Sequence, residues 1–223
     1  MSRLPLLCAC VLCCAVLSGC AHRGADPAPW SLPPTAESAR LAASVAPSDA
    51  PLLMWHSVRL SVPGRRLDET FNGALRLESG NSSLRAVGMG GFGLKAFDLT
   101  VTPDSSETHY LNPGLGRMRG MSERIAFCLR RIWLTCRPGA GDGFRAADGT
   151  AYLYGREGDV LLEHSFRGGQ LVSTKATGPA ENWEITYDGY LSGRGVPSSI
   201  TFTDGRGNYT LWIRLVSQWQ EHR

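Results

Sequence analysis

From Leu52 onward, apolar and polar side chains alternate at every second position over much of the chain. Met54, Val58, Leu60 and Val62 share one face of a first run. Phe71, Leu75 and Leu77 share a face of a second, with Asn72, Arg76 and Glu78 opposite. Phe97, Leu99 and Val101 alternate with Asp98 and Thr100. Trp183, Ile185 and Tyr187 alternate with Asn182, Glu184, Thr186 and Asp188, and Tyr209, Leu211, Ile213 and Leu215 alternate with Thr210, Trp212 and Arg214. A period of two predicts strands with one buried face. Turn signals separate the runs: Pro63-Gly64, Ser79-Gly80-Asn81, Arg167-Gly168-Gly169 and Asp204-Gly205-Arg206-Gly207. Short strands joined by tight turns predict an antiparallel meander, and the one-sided apolar pattern predicts a sheet curled around something.

One segment changes period. From Gly116 to Leu134 the apolar residues fall at Met118, Met121, Ile125, Cys128, Leu129 and Ile132, which is helical spacing. The remaining faces carry Arg117, Arg119, Arg124, Arg130 and Arg131 against Glu123. This predicts a basic amphipathic helix laid over the open face of the sheet. Its charged face is either simply solvated or steers towards an acidic partner or anionic headgroups. Gly139 to Gly143 then forms a loop before the strands resume.

Residues 21–51 are rich in Ala, Pro and Ser and read as a tether, apart from a short helix at Ala36–Val45. About thirty flexible residues have an end-to-end distance of roughly 30 Å. Ahead of the tether, Arg3 and an apolar run from Leu4 to Leu17 have the layout of a secretory signal in residues 1–19. The run is short for a membrane-spanning helix, which needs about 20 apolar residues. It ends in Leu17-Ser18-Gly19-Cys20, which resembles the lipobox of bacterial lipoproteins. That resemblance implies cleavage before Cys20 and lipidation of Cys20. By the usual sorting pattern, Ala21 in place of Asp favours the outer membrane. The folded part is then one domain, residues 52–223, held at the inner leaflet of the outer membrane and facing the periplasm. Ordinary signal cleavage without lipidation is the alternative.

The formal net charge is +3 in 223 residues, which excludes a nucleic-acid-binding composition. Five of the seven cysteines stand at or before Cys20, leaving Cys128 and Cys136 for the folded part. An oxidising periplasm would let them pair. Eight residues apart in a continuous helix they would be about 12 Å apart, whereas a disulfide needs Cα atoms within about 7 Å. A bridge therefore requires the helix to end near Leu134; otherwise one thiol is buried and the other free.

Catalytic and metal chemistry leave no trace. His22, His56, His109, His164 and His222 are scattered, without metal-ligand spacing. There is no nucleophile elbow and no close pair of acids. Gly88-Met89-Gly90-Gly91-Phe92-Gly93 looks like a dinucleotide fingerprint but lacks the strand–turn–helix context. It reads instead as a turn between strands. No enzyme, cofactor or metal site is expected.

Three segments carry a further resemblance. Asn182-Trp183-Glu184-Ile185-Thr186-Tyr187-Asp188-Gly189-Tyr190 resembles an Asn-Trp strand ending in a Gly-Tyr turn. Val196–Asp204 resembles a strand opened by proline and closed by Asp-Gly, and Tyr209–Trp219 resembles a closing strand. With the residues from Val87 to Val101, they resemble the LolB-like outer-membrane lipoproteins of the LolA/LolB superfamily. The resemblance implies a mainly β fold, an antiparallel half-open β-barrel with the interrupting helix as its lid. It also implies a cavity for acyl chains and a periplasmic LolA-like carrier as donor. Phe71, Phe97, Trp183, Tyr187, Phe202 and Tyr209 are the candidates for lining that cavity; plain core is the other reading of each. The family's protruding loop, which carries a leucine for membrane insertion, corresponds to Phe92. Here the leucine and the proline of that loop are replaced, and the helical region is shorter. Phe92 either meets lipid or folds back onto the sheet. The expected function is non-enzymatic acceptance of acylated or apolar cargo; a structural lipoprotein with a packed core is the alternative.

Overall fold

The computed structural model describes Ala28 and residues 31–47, 49–65, 67–190 and 196–220. The signal, the lipobox and Cys20 lie outside the described residues. Twelve strands form one antiparallel sheet. They are β1 (Leu52–Val62), β2 (Leu67–Leu77), β3 (Leu84–Met89), β4 (Lys95–Val101), β5 (Ser106–Leu111), β6 (Gly143–Ala147), β7 (Thr150–Glu157), β8 (Val160–Arg167), β9 (Gln170–Thr177), β10 (Asn182–Tyr190), β11 (Pro197–Asp204) and β12 (Tyr209–Gln220). The order is β5-β4-β3-β2-β1-β12-β11-β10-β9-β8-β7-β6. Every neighbour is a chain neighbour except β1 and β12, so two meanders are joined through the first and last strands. The predicted half-open barrel is the observed fold.

The inward faces follow the alternation. Met54, Leu75, Leu99, Val101, Ile185 and Phe202 are fully or almost fully buried. The β1–β12 register slips between Trp55 and His56, which pair with Ser217 and Leu215. A bulge of this kind bends the strand and sharpens its twist. It also reverses the parity of β12, so that Ile213 and Leu215 point inward before it and Gln218, opposite Met54, points inward after it.

The free edges of the sheet, β5 and β6, are consecutive in the chain, and the segment between them closes the opening. It carries α2 (Pro113–Gly116) and α3 (Met121–Trp133). Buried Ala126, Cys128, Ile132 and Trp133 seat α3 on the inner face. The basic side chains of α3 do not all project into solvent. Arg130 donates to the carbonyls of Thr102 and Ser105 in the β4–β5 turn, at 2.9 and 3.0 Å. Arg131 reaches the opposite lip, donating to Glu157 at the end of β7 (2.8 Å) and to Glu181 before β10. Adjacent arginines thus clasp the two lips of the open barrel. The expected steering face reduces to Arg117, Arg119 and Arg124, which are exposed.

The short helix expected at Ala36–Val45 forms. α1 (Ala36–Ser44) is docked on the sheet, not free. Thr35 caps it in a reciprocal capping box with Ser38, which satisfies two otherwise orphaned donors. Leu41 is 1% exposed and packs with Leu153, Phe166 and Leu171. That apolar contact offsets the ordering of one short helix, which would be marginal alone.

Candidate functional site

Two helices therefore share the inner face, and they do not fill it. A cavity of about 520 Å³ remains between the end of α1, the end of α3 and the sheet, within the roughly 300–1,000 Å³ of small-ligand sites. Val45 and Pro47 follow α1 into its wall; Ile132, Trp133, Arg137 and Pro138 come from α3 and the turn beyond it. The sheet contributes Leu52, Leu77, Leu171, Tyr187, Ile200 and Gln218. The walls are mixed: apolar side chains are in the majority, with Asn81, Thr135, Arg137 and Gln218 among them.

Of the six aromatic candidates, Tyr187 alone lines this cavity. Its hydroxyl donates to Thr174 at 3.5 Å, and burial pushes its pKa up to about 12. Trp183, Phe202 and Tyr209 belong instead to a packed aromatic stack. The ring centroids of Trp183 and Phe202 are 5.9 Å apart and those of Phe202 and Tyr209 6.0 Å, with Phe127 of α3 edge-on at 6.4 Å. Tyr209 also borders a second, more open depression of about 390 Å³ beside Arg124 and Phe127. Phe71 and Phe97 meet edge to face at 6.4 Å nearer the other end of the barrel. The division between core and cavity follows from α3: its apolar stripe caps the aromatic stack, and the space left over lies beyond its last turn.

Of the two alternatives for the thiols, the unpaired one is found: Cys128 and Cys136 are free. The helix does end at Trp133, as a bridge would need, but the two thiols face different partners. Cys128 is buried against the Tyr209 hydroxyl at 3.1 Å. Cys136 faces Arg131 at 3.3 Å and Glu157 at 3.2 Å, in the wall of the cavity. Burial raises both thiols, each to about 12, so neither is a ready nucleophile.

Phe92 projects from the β3–β4 turn. It is fully exposed, and Leu94 beside it is 65% exposed. Its φ is +57°, a left-handed conformation that is unfavourable for a bulky residue. The glycines around it have plain roles. Gly88 lies opposite Phe97 in the register, and a Cβ there would stand 2.2 Å from the Phe97 ring. Gly93 takes φ +71° and closes the tip. The segment is a strand turn, as its context predicted, and not a phosphate cradle.

No protein-family description matches the sequence, and no curated protein matches it. Solved structures do. A proposed outer-membrane lipoprotein-sorting protein domain from Vibrio parahaemolyticus superposes with a TM-score of 0.51 at 6% identity, over 83% of this chain and 91% of that one. A DUF1329 family protein from Desulfovibrio piger gives 0.52 at 8% identity, over 85% and 94%. The chain shares the fold of these two structures. A LolA superfamily protein from Nitrosomonas europaea also aligns, over 85% of this chain and 94% of that one, at 12% identity with a TM-score of 0.48. Within this fold, the site residues that sequence reading missed are Arg137, Leu171, Trp133 and Gln218. Leu171 and Trp133 carry an apolar signal indistinguishable from core. Gln218 reads as outward until the bulge reverses its strand, and nothing local marks Arg137 among the other arginines.

Proposed function

We propose that this chain is a non-enzymatic lipoprotein, anchored through Cys20 in the inner leaflet of the outer membrane, that accepts acylated or similarly apolar cargo and delivers it to the bilayer. The cavity between α1, α3 and the sheet is the observation that carries the reading, because plain structural packing would have filled it. Each methylene moved out of water contributes about 0.8 kcal/mol, so a fourteen-carbon chain gains on the order of 10 kcal/mol before ordering costs. A bilayer offers nearly the same environment, which lets transfer run close to balance.

The Phe92 tip supplies the membrane contact. An apolar side chain that is both fully exposed and held in a left-handed conformation costs stability in water twice over. Insertion into lipid recovers the first cost. A periplasmic LolA-like carrier is the proposed donor, with the exposed arginines at the start of α3 as its docking charges. The decisive experiment is saturable binding of a fluorescent acyl probe to the full chain, compared with Val196→Trp, which narrows the cavity. Saturable binding that Val196→Trp weakens supports the carrier. No saturable binding by the unaltered chain would leave a structural lipoprotein as the better account.

A further inference from the structure

We propose that the cavity is built for the anionic head of a single-chain amphiphile, a carboxylate or phosphate seated against Arg137. This deepens the acyl-carrier reading and rests on it. Arg137 lines the cavity just past the end of α3 and is largely buried. Two of its five N–H donors are used on main-chain carbonyls: Nη1 on Val45 at 3.0 Å and Nη2 on Trp133 at 2.8 Å. Its buried Nε has no hydrogen-bond partner among the described residues. Among the described residues no carboxylate stands within ion-pair distance of it, and burial lowers its pKa.

Three other arginines make the contrast. Arg131, the comparably buried guanidinium, is held by two carboxylates. Even the exposed Arg59 and Arg85 each face an aspartate, Asp68 and Asp98. A guanidinium placed among apolar groups without a counter-charge is costly, and an anion entering the cavity removes that cost. The two carbonyls orient the planar fork while leaving donors free, the arrangement that suits a carboxylate or phosphate. Gln218 adds a buried Oε1 with no hydrogen-bond partner among the described residues, in the same cavity. It can accept from a protonated or hydroxyl-bearing part of the head. The apolar wall from Leu77, Ile132, Leu171 and Ile200 accommodates the chain. A neutral lipid of equal length would leave Arg137 as exposed to that cost as the empty site does.

The test compares ligands that share a sixteen-carbon chain and differ in the head. The full chain is held in phosphatidylcholine nanodiscs, with empty nanodiscs as blank, and equilibrated with labelled palmitate, hexadecanol or 1-palmitoyl-lysophosphatidate. Palmitate or the lysophosphatidate is expected to bind at least tenfold tighter than hexadecanol, and whichever of the two leads identifies the head as carboxylate or phosphate. Arg137→Gln is expected to bring the leading acid down to the level of the alcohol. Equal binding of acid and alcohol to the unaltered chain overturns the proposal and leaves the carrier reading intact. A preference that survives in folded Arg137→Gln also overturns it. If neither acid nor alcohol binds, the carrier reading falls and this inference with it. The comparison on the unaltered chain decides the matter even if the variant fails to fold.

Discussion

The side-chain amide of Asn81 donates to the main-chain carbonyl of Trp133 at 2.8 Å, joining the β2–β3 corner to the last residue of α3. Asn81 is buried and sits at φ +52°, where asparagine is among the better-tolerated residues. The carbonyl it satisfies is one that the end of a helix leaves without an intrahelical partner. Arg137 donates to the same carbonyl, so Asn81 helps fix one wall of the cavity.

Asn81→Gly keeps the backbone conformation and loses the bond. It should cost about 1–2 kcal/mol in denaturant unfolding. Asn81→Ala loses the bond and adds strain at positive φ, and should cost more. Equal losses in the two variants would mean that the backbone conformation contributes nothing.

Arg131 ties α3 to Glu157 and Glu181, and Glu181 in turn accepts from the Trp183 indole at 2.7 Å. Arg131→Met removes the charge and strands two carboxylates. The expected loss is about 2–3 kcal/mol, with hydrogen exchange in α3 accelerating ahead of exchange in β10 and β11. Protection that falls uniformly over the domain would argue against a local clasp.

His56 and His164 are buried, and burial lowers each to about 4 from the ordinary value of 6.5. His56 packs on Trp133 and His164 bonds Thr174 at 3.1 Å. The unfolded chain takes up these protons first as pH falls. Their contribution is therefore whole above pH 6.5, lost between there and about pH 4, and gone below. At pH 5 each should have cost about 2 kcal/mol relative to pH 8. Urea midpoints measured across that range check this; a flat profile between pH 7 and pH 5 would refute it.

Phe92→Gly relieves a left-handed conformation and removes an exposed ring. Stability should rise by up to about 1 kcal/mol, while co-sedimentation with anionic vesicles falls. Phe92→Glu should weaken vesicle binding further without lowering the melting temperature. Unchanged vesicle binding in both variants would remove the tip from the mechanism.

Strand identity was legible because burying one face of a pleated sheet imposes a period of two that no tertiary context needs to supply. Trp183 and Ile185 could be placed inward on that ground alone. The amphipathic stripe of α3 was legible for the same reason at its own period. The docking of α1 was not, because a single buried leucine at position 41 among Ala, Ser and Pro leaves almost no pattern.

Local periodicity thus specified which residues face inward, where α3 runs, and that Phe92 stands at a glycine-flanked turn. Periodicity is a property of neighbours in the chain, and these features are local. Whether an inward residue meets another side chain or open space depends on elements far apart in sequence. Filling under α3 turned Trp183, Phe202 and Tyr209 into core, and a bulge opposite Trp55 turned Gln218 inward. Convergence of two helix ends left a cavity at Arg137. Those outcomes follow from volumes and registers that exist only once the strands have closed around the helices.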